Sequence, residues 1–425
     1  MKVLILTYYW PPSGGSGVQR WLKFVKYLQD FGVTPVVYTV DNPDYAIQDT
    51  SLQNEVSKGV EVIRQPIWEP YKLASIFSKK KKTQTSSGFL NSKQSLAGKI
   101  STYIRANYFI PDARMFWIQP SVKYLEKYLN ENSIDLIISS GPPHSLHMIG
   151  LELKKKTAIK WISDFRDPWT DIDYFHQLPL SKRAKKKHFS LEQEVLENSD
   201  AVVVVGKTMQ ENYLPFNINT VVLSNGYDCE VASDSVALDK KFSMTHIGLM
   251  NEDRNPKILW QALQEISQEV DGFSKDLEIQ LIGKIDSIVL NSIESKGLFS
   301  NTKQIAYVPH SEVQIYQQKS QVLLLAVNKV PSAKGIVTGK IFEYLVAKRP
   351  ILAIGPEDGD LAEILEETKA GIIVGFENLS KIKELIKELY QKYLGNNLNV
   401  TSKNIEQYHR KEITKQLVSL IKSTV

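Results

Sequence analysis

One cation and one carboxylate, Lys340 and Glu343, stand three residues apart in the stretch VTGKIFEYLVAKRPILAIG. The apolar residues around them have helical spacing, so both charged side chains are expected to point away from the buried stripe. A solvated ion pair, which stabilises a helix by about 0.2–0.5 kcal/mol, is the simplest interpretation. Lys340, however, lies in the first helical turn, where the helix dipole disfavours a cation. A bound phosphate would reverse that penalty.

A second cation, Arg254, follows another predicted strand in the stretch HIGLMNEDRNP. Together Lys340 and Arg254 could neutralise a diphosphate, and Glu343 could accept hydrogen bonds from both vicinal hydroxyls of a ribose. Two glycines, Gly248 and Gly283, end the neighbouring strands. These residues predict a site for a nucleoside diphosphate.

In the first half of the chain a glycine-rich loop, YYWPPSGGSGVQR, follows the first predicted strand. Gly15 and Gly17 open a helix whose free N–H groups could meet an anion or a sugar hydroxyl, although a tight strand-to-helix turn is the alternative. The loop lacks the dinucleotide fingerprint G-x-G-x-x-G, because Arg20 stands in place of the third glycine. A nicotinamide-dependent dehydrogenase is therefore disfavoured.

Two further groups of polar residues follow strands of this half. The stretch SSGPPHSLH places His144 at the start of a helix, where the macrodipole keeps an imidazole neutral. The stretch SDFRDPW places Asp164, Arg166 and Asp167 at the end of the next strand. A structural histidine and an ordinary ion-pair cluster are the alternatives to functional roles for these residues.

The elements that position these residues alternate between short β-branched runs and amphipathic stretches. This alternation implies parallel sheets with helices on both faces. The predicted fold class is α/β, with two doubly wound Rossmann-like domains whose strand ends face a central cleft. The predicted strands are Val3–Tyr8, Pro35–Val40, Val60–Ile67, Asp135–Ser140, Lys160–Phe165, Ala201–Val205, Thr220–Ser224, Met244–Leu249, Leu277–Ile282, Gln304–Val308, Val322–Val327, Pro350–Ile354 and Gly371–Val374.

The points at which the alternation of strands and helices stops and resumes also predict the domain boundaries. Residues 1–226 are expected to form the first domain, with an insertion at 71–120 where a polar lysine tract and an aromatic cluster interrupt the alternation. The aperiodic residues 227–241 are interpreted as a linker, and 242–400 as the second domain. Helical periodicity in 401–425 predicts a terminal helix that covers a surface of the first domain.

Length and composition agree with this organisation. At 425 residues two domains are the better expectation, and 42% hydrophobic with 23% charged residues is ordinary for a globular protein. Met1 leads directly into a strand, so no signal peptide is expected, and the single cysteine, Cys229, fits a reducing cytoplasm. The net charge of +5 is mild, and no nucleic-acid partner is expected.

The chain resembles the GT-B-fold glycosyltransferases, and most closely the retaining family 4. The resemblance implies transfer of a sugar from a nucleotide diphosphate sugar to an acceptor hydroxyl, with retention, in cell-surface polysaccharide or glycolipid synthesis. It also implies that Lys340 and Arg254 hold the donor diphosphate and that Glu343 holds the ribose. The motifs that carry it, in the family's order, are TYYWPPSGGSGVQR, SGPPH, SDFRDPW, VVVVGKTM, LSNGYD, IGLMNEDRNP and TGKIFEYLVAKRPILAIG.

This sequence departs from the family's pattern at three points. Gly335 stands where the first glutamate of an E-x₇-E motif is usual, and Leu249 follows Gly248 where arginine is common. The family's histidine after the fourth strand would fall near Ser139. The acceptor side is therefore assigned to His144 and to the Asp164, Arg166 and Asp167 group, with Arg166 expected to fix the two carboxylates.

The resemblance also bears on cofactors and partners. No D-x-D motif stands directly at the end of a predicted strand, so neither a metal nor any other cofactor is expected beside the nucleotide-sugar donor. The acceptor is expected to be a sugar or a lipid-linked sugar. Lysine clusters at 78–82 and 181–188, together with Tyr108, Phe109, Phe116 and Trp117, predict peripheral docking on an anionic membrane from the cytoplasm. The alternative for the lysine clusters is a solvated face.

Two alternative functions stay open on the sequence. A sugar-nucleotide epimerase of the same fold would convert its substrate without an acceptor. A non-catalytic nucleotide-sugar-binding protein would bind the donor without turnover, which is compatible with Gly335 in place of the usual glutamate.

Overall fold

A computed structural model of the protein describes residues 1–43, 45, 47–69, 96–229, 236–306 and 308–425. These residues form two compact units, of which the first comprises Met1–Asn225 and Arg410–Val425 and the second Gly226–His409. The lysine cluster at 78–82 lies outside the described residues. None of the helices described here is both long and apolar enough to cross a lipid bilayer.

The first unit is built on a seven-stranded parallel sheet with the order β3-β2-β1-β4-β5-β6-β7. Helices cover both faces of this sheet, which is why its central strands are continuous apolar runs rather than alternating ones. The strands are β1 Lys2–Leu6, β2 Thr34–Val40, β3 Glu61–Gln65, β4 Leu136–Gly141, β5 Lys160–Phe165, β6 Ala201–Val204 and β7 Thr220–Val222. The helices are α1 Ser16–Leu28, α2 Leu96–Tyr108, α3 Ile118–Glu131, α4 Ser145–Thr157, α5 Lys182–Asn198 and α6 Lys207–Tyr213.

The second unit repeats this arrangement with a six-stranded parallel sheet in the order β10-β9-β8-β11-β12-β13. Its strands are β8 Phe242–Ile247, β9 Leu277–Ile282, β10 Thr302–Ile305, β11 Val322–Ala326, β12 Ile351–Ile354 and β13 Gly371–Val374. Its helices are α7 Lys257–Glu269, α8 Phe273–Asp276, α9 Ser287–Glu294, α10 His310–Lys319, α11 Lys340–Val346, α12 Asp360–Thr368 and α13 Leu379–Leu394.

The predicted fold class, α/β with two doubly wound Rossmann-like domains, is confirmed. Every predicted strand is present, and the bounds of Lys160–Phe165, Leu277–Ile282 and Gly371–Val374 match at both ends. The largest shift is at Gln304–Val308, where the strand runs from Thr302 to Ile305. Short apolar runs in the sequence therefore predicted the parallel strands well, because these strands are buried on both faces of their sheets.

The last helix, α14 Arg410–Thr424, belongs to the first unit, as the sequence predicted. Its buried residues Ile413, Leu417 and Ile421 join a core cluster that includes Trp21 of α1. The structure starts this helix nine residues later than the predicted range 401–425. Residues up to His409 group with the second unit, because Ile405 and Tyr408 are buried in its core.

The segment that was interpreted as a linker, 227–241, is described in part. Its first residues group with the second unit, where the backbone N–H of Tyr227 donates to the carbonyl of Tyr408 at 3.0 Å. The chain therefore passes between the units at Asn225–Gly226 and again at His409–Arg410.

The contact between α14 and α1 generates a stability prediction. Leu417→Ala and Ile421→Ala each remove a fully enclosed aliphatic side chain, and each should lower the free energy of unfolding by about 2–5 kcal/mol. Urea unfolding followed by tryptophan fluorescence measures the loss. The control is Lys422→Ala on the exposed face, with an expected change of less than about 0.5 kcal/mol. Equal midpoints for all three variants would show that α14 does not stabilise the first unit.

Candidate functional site

Residues Lys340–Val346 form α11, and Lys340 and Glu343 lie on the face of this helix that the periodicity predicts. Ile341, Phe342 and Leu345 are fully buried, while Lys340 and Glu343 lie on the partly open face of the helix. Phe342 packs into the core cluster of the second unit. The two charged side chains are thus presented by a helix whose other face is anchored.

The side chain of Lys340 lies across Gly248, at the end of β8. A Cβ atom at position 248 would lie 2.9 Å from Cε and 3.0 Å from Nζ of Lys340, and the φ of Gly248 is +107°. Gly283, at the end of β9, has a φ of +110°, and a Cβ there would lie 3.0 Å from the carbonyl oxygen of Gly248. Only glycine tolerates both the backbone conformation and the close approach. The two glycines make room for the lysine.

The amine of Lys340 is in an environment that disfavours its charge. Burial, followed by repulsion from Arg254, lowers the pKa of Lys340 to about 7, although Glu343 acts in the opposite direction. Its Nζ lies 3.3 Å from Nε2 of His246. The ammonium of Lys340 and the guanidinium of Arg254 thus lie close enough to repel each other, and an anion near both would be attracted by both.

Hydrogen bonds hold the other two polar members of this group. Arg254 donates from Nε to Oδ1 of Asn328 at 2.9 Å and from Nη1 to the carbonyl of Leu249 at 3.2 Å. Glu343 accepts from Nε2 of the buried Gln317 at 3.2 Å. The second unit therefore brings together every donor-side residue that the sequence proposed there: Gly248, Arg254, Gly283, Lys340 and Glu343.

In the first unit Asp164 is buried, with 1% of its surface exposed. It accepts hydrogen bonds from Nη2 of Arg20 at 2.8 Å, from Nε1 of Trp21 at 2.7 Å and from Oγ of Ser140 at 2.8 Å. Burial alone would raise the pKa of Asp164, but the ion pair and hydrogen bonds of Arg20 outweigh it and lower the pKa. Asp164 is thus a charged group enclosed in the domain, where it positions its neighbours.

The sequence suggested that Arg166 fixes both carboxylates, and the structure differs. Arg166 donates to the backbone carbonyls of Gly17, at 2.7 Å from Nη1, Gly141, at 3.3 Å from Nε, and Pro142. The reason is the alternation of β5, which turns Asp164 inward to Arg20 of α1, whereas Arg166 lies beyond the end of the strand. Arg166 thereby joins the glycine-rich loop to the loop before His144.

Asp167 differs from Asp164 in its access to solvent. Its side chain is exposed at the surface. The surrounding protein nevertheless displaces water from the carboxyl and raises its pKa, an effect that the nearby Arg166 offsets in part. Of the two carboxylates in SDFRDPW, Asp167 is therefore the one that a ligand can reach.

His144 is buried and stacks on Trp169 with ring centroids 4.6 Å apart and planes 3° from parallel. Among the described residues its Nδ1 has no hydrogen-bond partner. Burial, followed by repulsion from His147 and His188, lowers the pKa of His144 far below its usual value. This direction favours a neutral ring, and its leading cause is burial, whereas the sequence pointed to the helix dipole.

Two carboxylates that no sequence motif marks, Asp112 and Glu192, hold the segments on either side of His144 in place. Asp112, within the insertion, accepts from the backbone N–H of Ser145 at 2.9 Å and from its hydroxyl at 2.8 Å, which caps α4. On the other side Glu192 of α5 accepts from the backbone N–H of Trp169 at 3.2 Å. No local pattern marks these partners, because each is distant in sequence from the group that it binds.

The glycine-rich loop shows two different uses of glycine. Gly15 has a φ of +82° directly before α1, so a side chain there would be strained. A Cβ at Gly17 would lie 3.3 Å from Nη1 of Arg166, so this glycine lets the guanidinium approach the helix.

Within the described ranges no group of three or more histidine, cysteine, aspartate or glutamate side chains could hold a metal ion.

The position of Lys340 above Gly248 can be tested by adding a methyl group. Gly248→Ala should displace the lysine amine and weaken the binding of a nucleoside diphosphate by about tenfold, because a charge-assisted contact contributes about 1.5–3 kcal/mol. Gly297→Ala is the matched control, since Gly297 also has a positive φ, +69°, but no atom within 4 Å of the added carbon. Both variants should lose about 1–3 kcal/mol of stability from backbone strain. Calorimetry that finds equal affinities for the two would contradict the placement.

Comparison with known proteins places the fold in a wider group. Neither a scan against protein-family models nor a search of curated proteins found a match. Among solved structures, sucrose-phosphate synthase from Thermosynechococcus elongatus matches with a TM-score of 0.62 and 14% identity over 99% of this chain and 98% of that one. Anabaena HepE, solved in complex with UDP-glucose, matches with a TM-score of 0.61 and 13% identity over the whole of both chains.

A third similar structure is the lipopolysaccharide outer core galactosyltransferase WaaB, with a TM-score of 0.61 and 12% identity over the whole of both chains. Likeness at this level of identity is a likeness of fold. Placement in the retaining family 4 stays a prediction. The resemblance noted in the sequence is confirmed in this sense: the chain has the GT-B fold of these glycosyltransferases.

Proposed function

We propose that the protein is a glycosyltransferase that moves a sugar from a nucleotide diphosphate sugar to an acceptor hydroxyl. The observation that carries the proposal is the convergence of Lys340 and Arg254 at strand ends of the second unit. Their charges repel each other strongly enough to contribute to the lowered pKa of Lys340, about 7, and a bound diphosphate would relieve that repulsion. Binding of UDP-glucose by HepE, which has the same fold, supports this assignment.

In this proposal Lys340 and Arg254 act on the leaving group. Negative charge grows on the diphosphate as the bond to the sugar breaks, and two cations held in place beforehand stabilise it. Glu343, oriented by Gln317, accepts hydrogen bonds from the ribose hydroxyls. The departing phosphate takes the proton of the acceptor on the same face of the sugar, so the configuration is retained. The two cations meet the electrostatic demand without a divalent metal.

The first unit holds the acceptor. Asp167, the accessible carboxylate, orients the acceptor hydroxyl, and its raised pKa makes it a better hydrogen-bond acceptor than an ordinary aspartate. The neutral His144 contacts the transferred sugar, while Asp164 and Arg166 position the loops around them. Gly15 and Gly17 leave the N–H groups at the start of α1 open to a phosphate or a sugar hydroxyl. We infer a sugar or lipid-linked acceptor in polysaccharide or glycolipid synthesis from the similarity to WaaB.

The proposal predicts that variants of the second unit lose nucleotide affinity and that variants of the first unit lose turnover. Lys340→Ala should raise the dissociation constant for a nucleoside diphosphate about tenfold or more, because a charge-assisted bond is lost. Asp167→Asn and His144→Ala should leave that constant unchanged and lower turnover by about 10²-fold. Thermal-shift screening of nucleotide sugars identifies the donor, and calorimetry and a transfer assay then measure the variants. Lys334→Ala, at an exposed lysine of the same unit, is the control.

Four outcomes would contradict this proposal or one of its parts. Full nucleotide affinity in a folded Lys340→Ala variant would remove the donor site. Conversion of the donor without any acceptor would identify an epimerase, and binding without turnover would identify a non-catalytic binding protein. Loss of nucleotide affinity or of thermal stability in Asp167→Asn would show that the SDFRDPW cluster is structural.

We further propose that the first unit docks peripherally on the cytoplasmic face of an anionic membrane. Helix α2 exposes an apolar stripe formed by Ile100, Tyr103, Ile104 and Tyr108, with exposed fractions of 61%, 46%, 44% and 69%. The side chain of Asn107 joins α2 to the start of α5 through the carbonyl of Pro179 and the N–H of Ser181. The neighbouring α5 exposes Arg183, Lys185, Lys186, Lys187 and Phe189.

An apolar stripe beside a basic face suits a bilayer with anionic headgroups. One residue of the predicted membrane-facing set does not belong to it. Trp117 is buried, with 1% exposure, and packs on Tyr38 in the core, whereas Phe116 is 41% exposed. The reason is that Trp117 ends a short 3₁₀ turn and faces the sheet.

Liposome sedimentation tests the docking surface. The protein should bind vesicles that contain phosphatidylserine more tightly than vesicles of phosphatidylcholine alone, since each basic residue near the surface contributes about 1 kcal/mol at low salt. Combining Lys186→Glu and Lys187→Glu should abolish the difference, and Ile104→Ser with Tyr108→Ser should weaken binding to both vesicles. Lys127→Glu, at an exposed lysine of α3, serves as the control. Equal binding to both vesicles by the wild type would refute the proposal.

A further inference from the structure

We propose that His246 is a positioning residue that holds the amine of Lys340 over Gly248 in the free protein and yields it to an anionic ligand, so that binding takes up a proton. The inference rests on the proposed function, because the ligand it invokes is the donor diphosphate. It adds a residue and a proton-linked step to that site.

His246 is the one polar residue of β8 that contacts Lys340 in the described structure, and only 1% of its surface is exposed. Its Nδ1 lies 3.3 Å from the carbonyl oxygen of Leu324, and its Nε2 lies 3.4 Å from that of Leu249. A carbonyl only accepts, and a neutral imidazole has a single N–H, so the ring can donate to only one of the two. The position of Lys340 beside Nε2 favours donation from Nδ1 to the carbonyl of Leu324.

That tautomer leaves a lone pair on Nε2, which faces Nζ of Lys340 at 3.3 Å. The amine can donate into this lone pair. Burial, followed by repulsion from Lys340 and Arg254, keeps the pKa of His246 well below its usual value, so the ring stays an acceptor. Because Gly248 has no side chain, the side chain of Lys340 can lie directly against its backbone.

The charged groups that act on Lys340 are Arg254, on the segment after β8, and Glu343, on α11 itself. With burial they bring the pKa of Lys340 to about 7. A bound diphosphate stabilises the ammonium form and must raise this pKa. Below pH 7 the amine already carries its proton, and Lys340 adds no pH dependence to binding. Above pH 7 binding has to take up a proton, so affinity falls by about tenfold for each pH unit.

The first experiment measures this proton uptake. Calorimetry with a panel of nucleoside diphosphates should show that the wild type loses about tenfold or more in affinity between pH 6.5 and 8.5. Lys340→Arg should show little change over this range, because a guanidinium does not deprotonate there. A wild-type affinity that is equal at both pH values would overturn the proton-linked step.

The second experiment separates positioning from a merely structural role by a double-mutant cycle at pH 6.5. His246→Leu should weaken binding about threefold to tenfold when Lys340 is present and should have almost no effect in a Lys340→Met background. A structural defect would weaken both backgrounds equally, and that result would overturn the role of His246. His246→Asn replaces the leucine variant if the latter does not fold.

A third measurement needs no ligand and so distinguishes failure of this inference from failure of the proposed function. The rate at which an amine-reactive reagent acylates Lys340, read by peptide mass spectrometry, should rise with a midpoint near pH 7. His246→Leu should move that midpoint, downward if the amine stays buried without its acceptor and upward if it swings into water. An unchanged midpoint overturns the contact with His246, whereas a shifted midpoint in a protein that binds no nucleoside diphosphate supports the contact and refutes the donor site.

Discussion

The buried ion pair between Arg20 and Asp164 is the interaction on which the strand ends of the first unit depend. Both side chains are almost fully enclosed, at 3% and 1% exposure, and they meet at 2.8 Å. Arg20 also donates to the carbonyls of Leu223 and Ser224, two of the last three residues before the chain leaves the unit. Removing either partner would leave an unpaired buried charge, at a cost of about 3–5 kcal/mol. Helix α1, strand β5 and the exit segment are therefore held by one pair of charges.

In the second unit, by contrast, two charges of the same sign lie close together. Arg20 and Asp164 compensate each other, and Trp21 and Ser140 satisfy the remaining acceptor positions of the carboxylate. At the end of β8 two cations, Lys340 and Arg254, lie together, and burial, followed by repulsion from Arg254, lowers the pKa of Lys340 although Glu343 acts in the opposite direction. Each member of an oppositely charged buried pair is costly to remove, whereas the repulsion between two like charges is relieved when a ligand of opposite charge binds. The first pair of charges holds elements of the fold together, and the second pair attracts an anion.

The elements could be predicted from the sequence because their signals are local. The strands are short β-branched runs between polar turns, and Lys340 and Glu343 lie on the open face of α11 because helical spacing decides which side is buried. The partner of Asp164 could not be predicted in the same way. Arg20 is 144 residues away, and only the order of the strands in the sheet brings the two together. In the sequence Arg20 is notable only because it stands in place of the third glycine of the dinucleotide fingerprint G-x-G-x-x-G.

Two other features of the structure could not be predicted from the sequence, because they also depend on contacts between residues that are distant in the chain. Helical periodicity runs through Ile405, His409 and Ile413, yet the helix starts at Arg410, because Ile405 and Tyr408 are captured by the core of the second unit. Tertiary packing there overrides a local preference. His246 sits in an apolar strand, where a histidine is indistinguishable from an ordinary core residue until its contacts with Lys340 are known.

The position of α14 has a consequence for biosynthesis. This helix covers α1 of the first unit, but the whole of the second unit, about 180 residues, lies between it and β7. At a synthesis rate of about 5–20 residues per second, the ribosome needs roughly 10 to 40 s to translate that stretch. During this interval the apolar side of α1 around Trp21 has no helix to cover it. The unit whose synthesis begins first is thus the last to be completed, and its nascent form presents an apolar surface that a chaperone can bind.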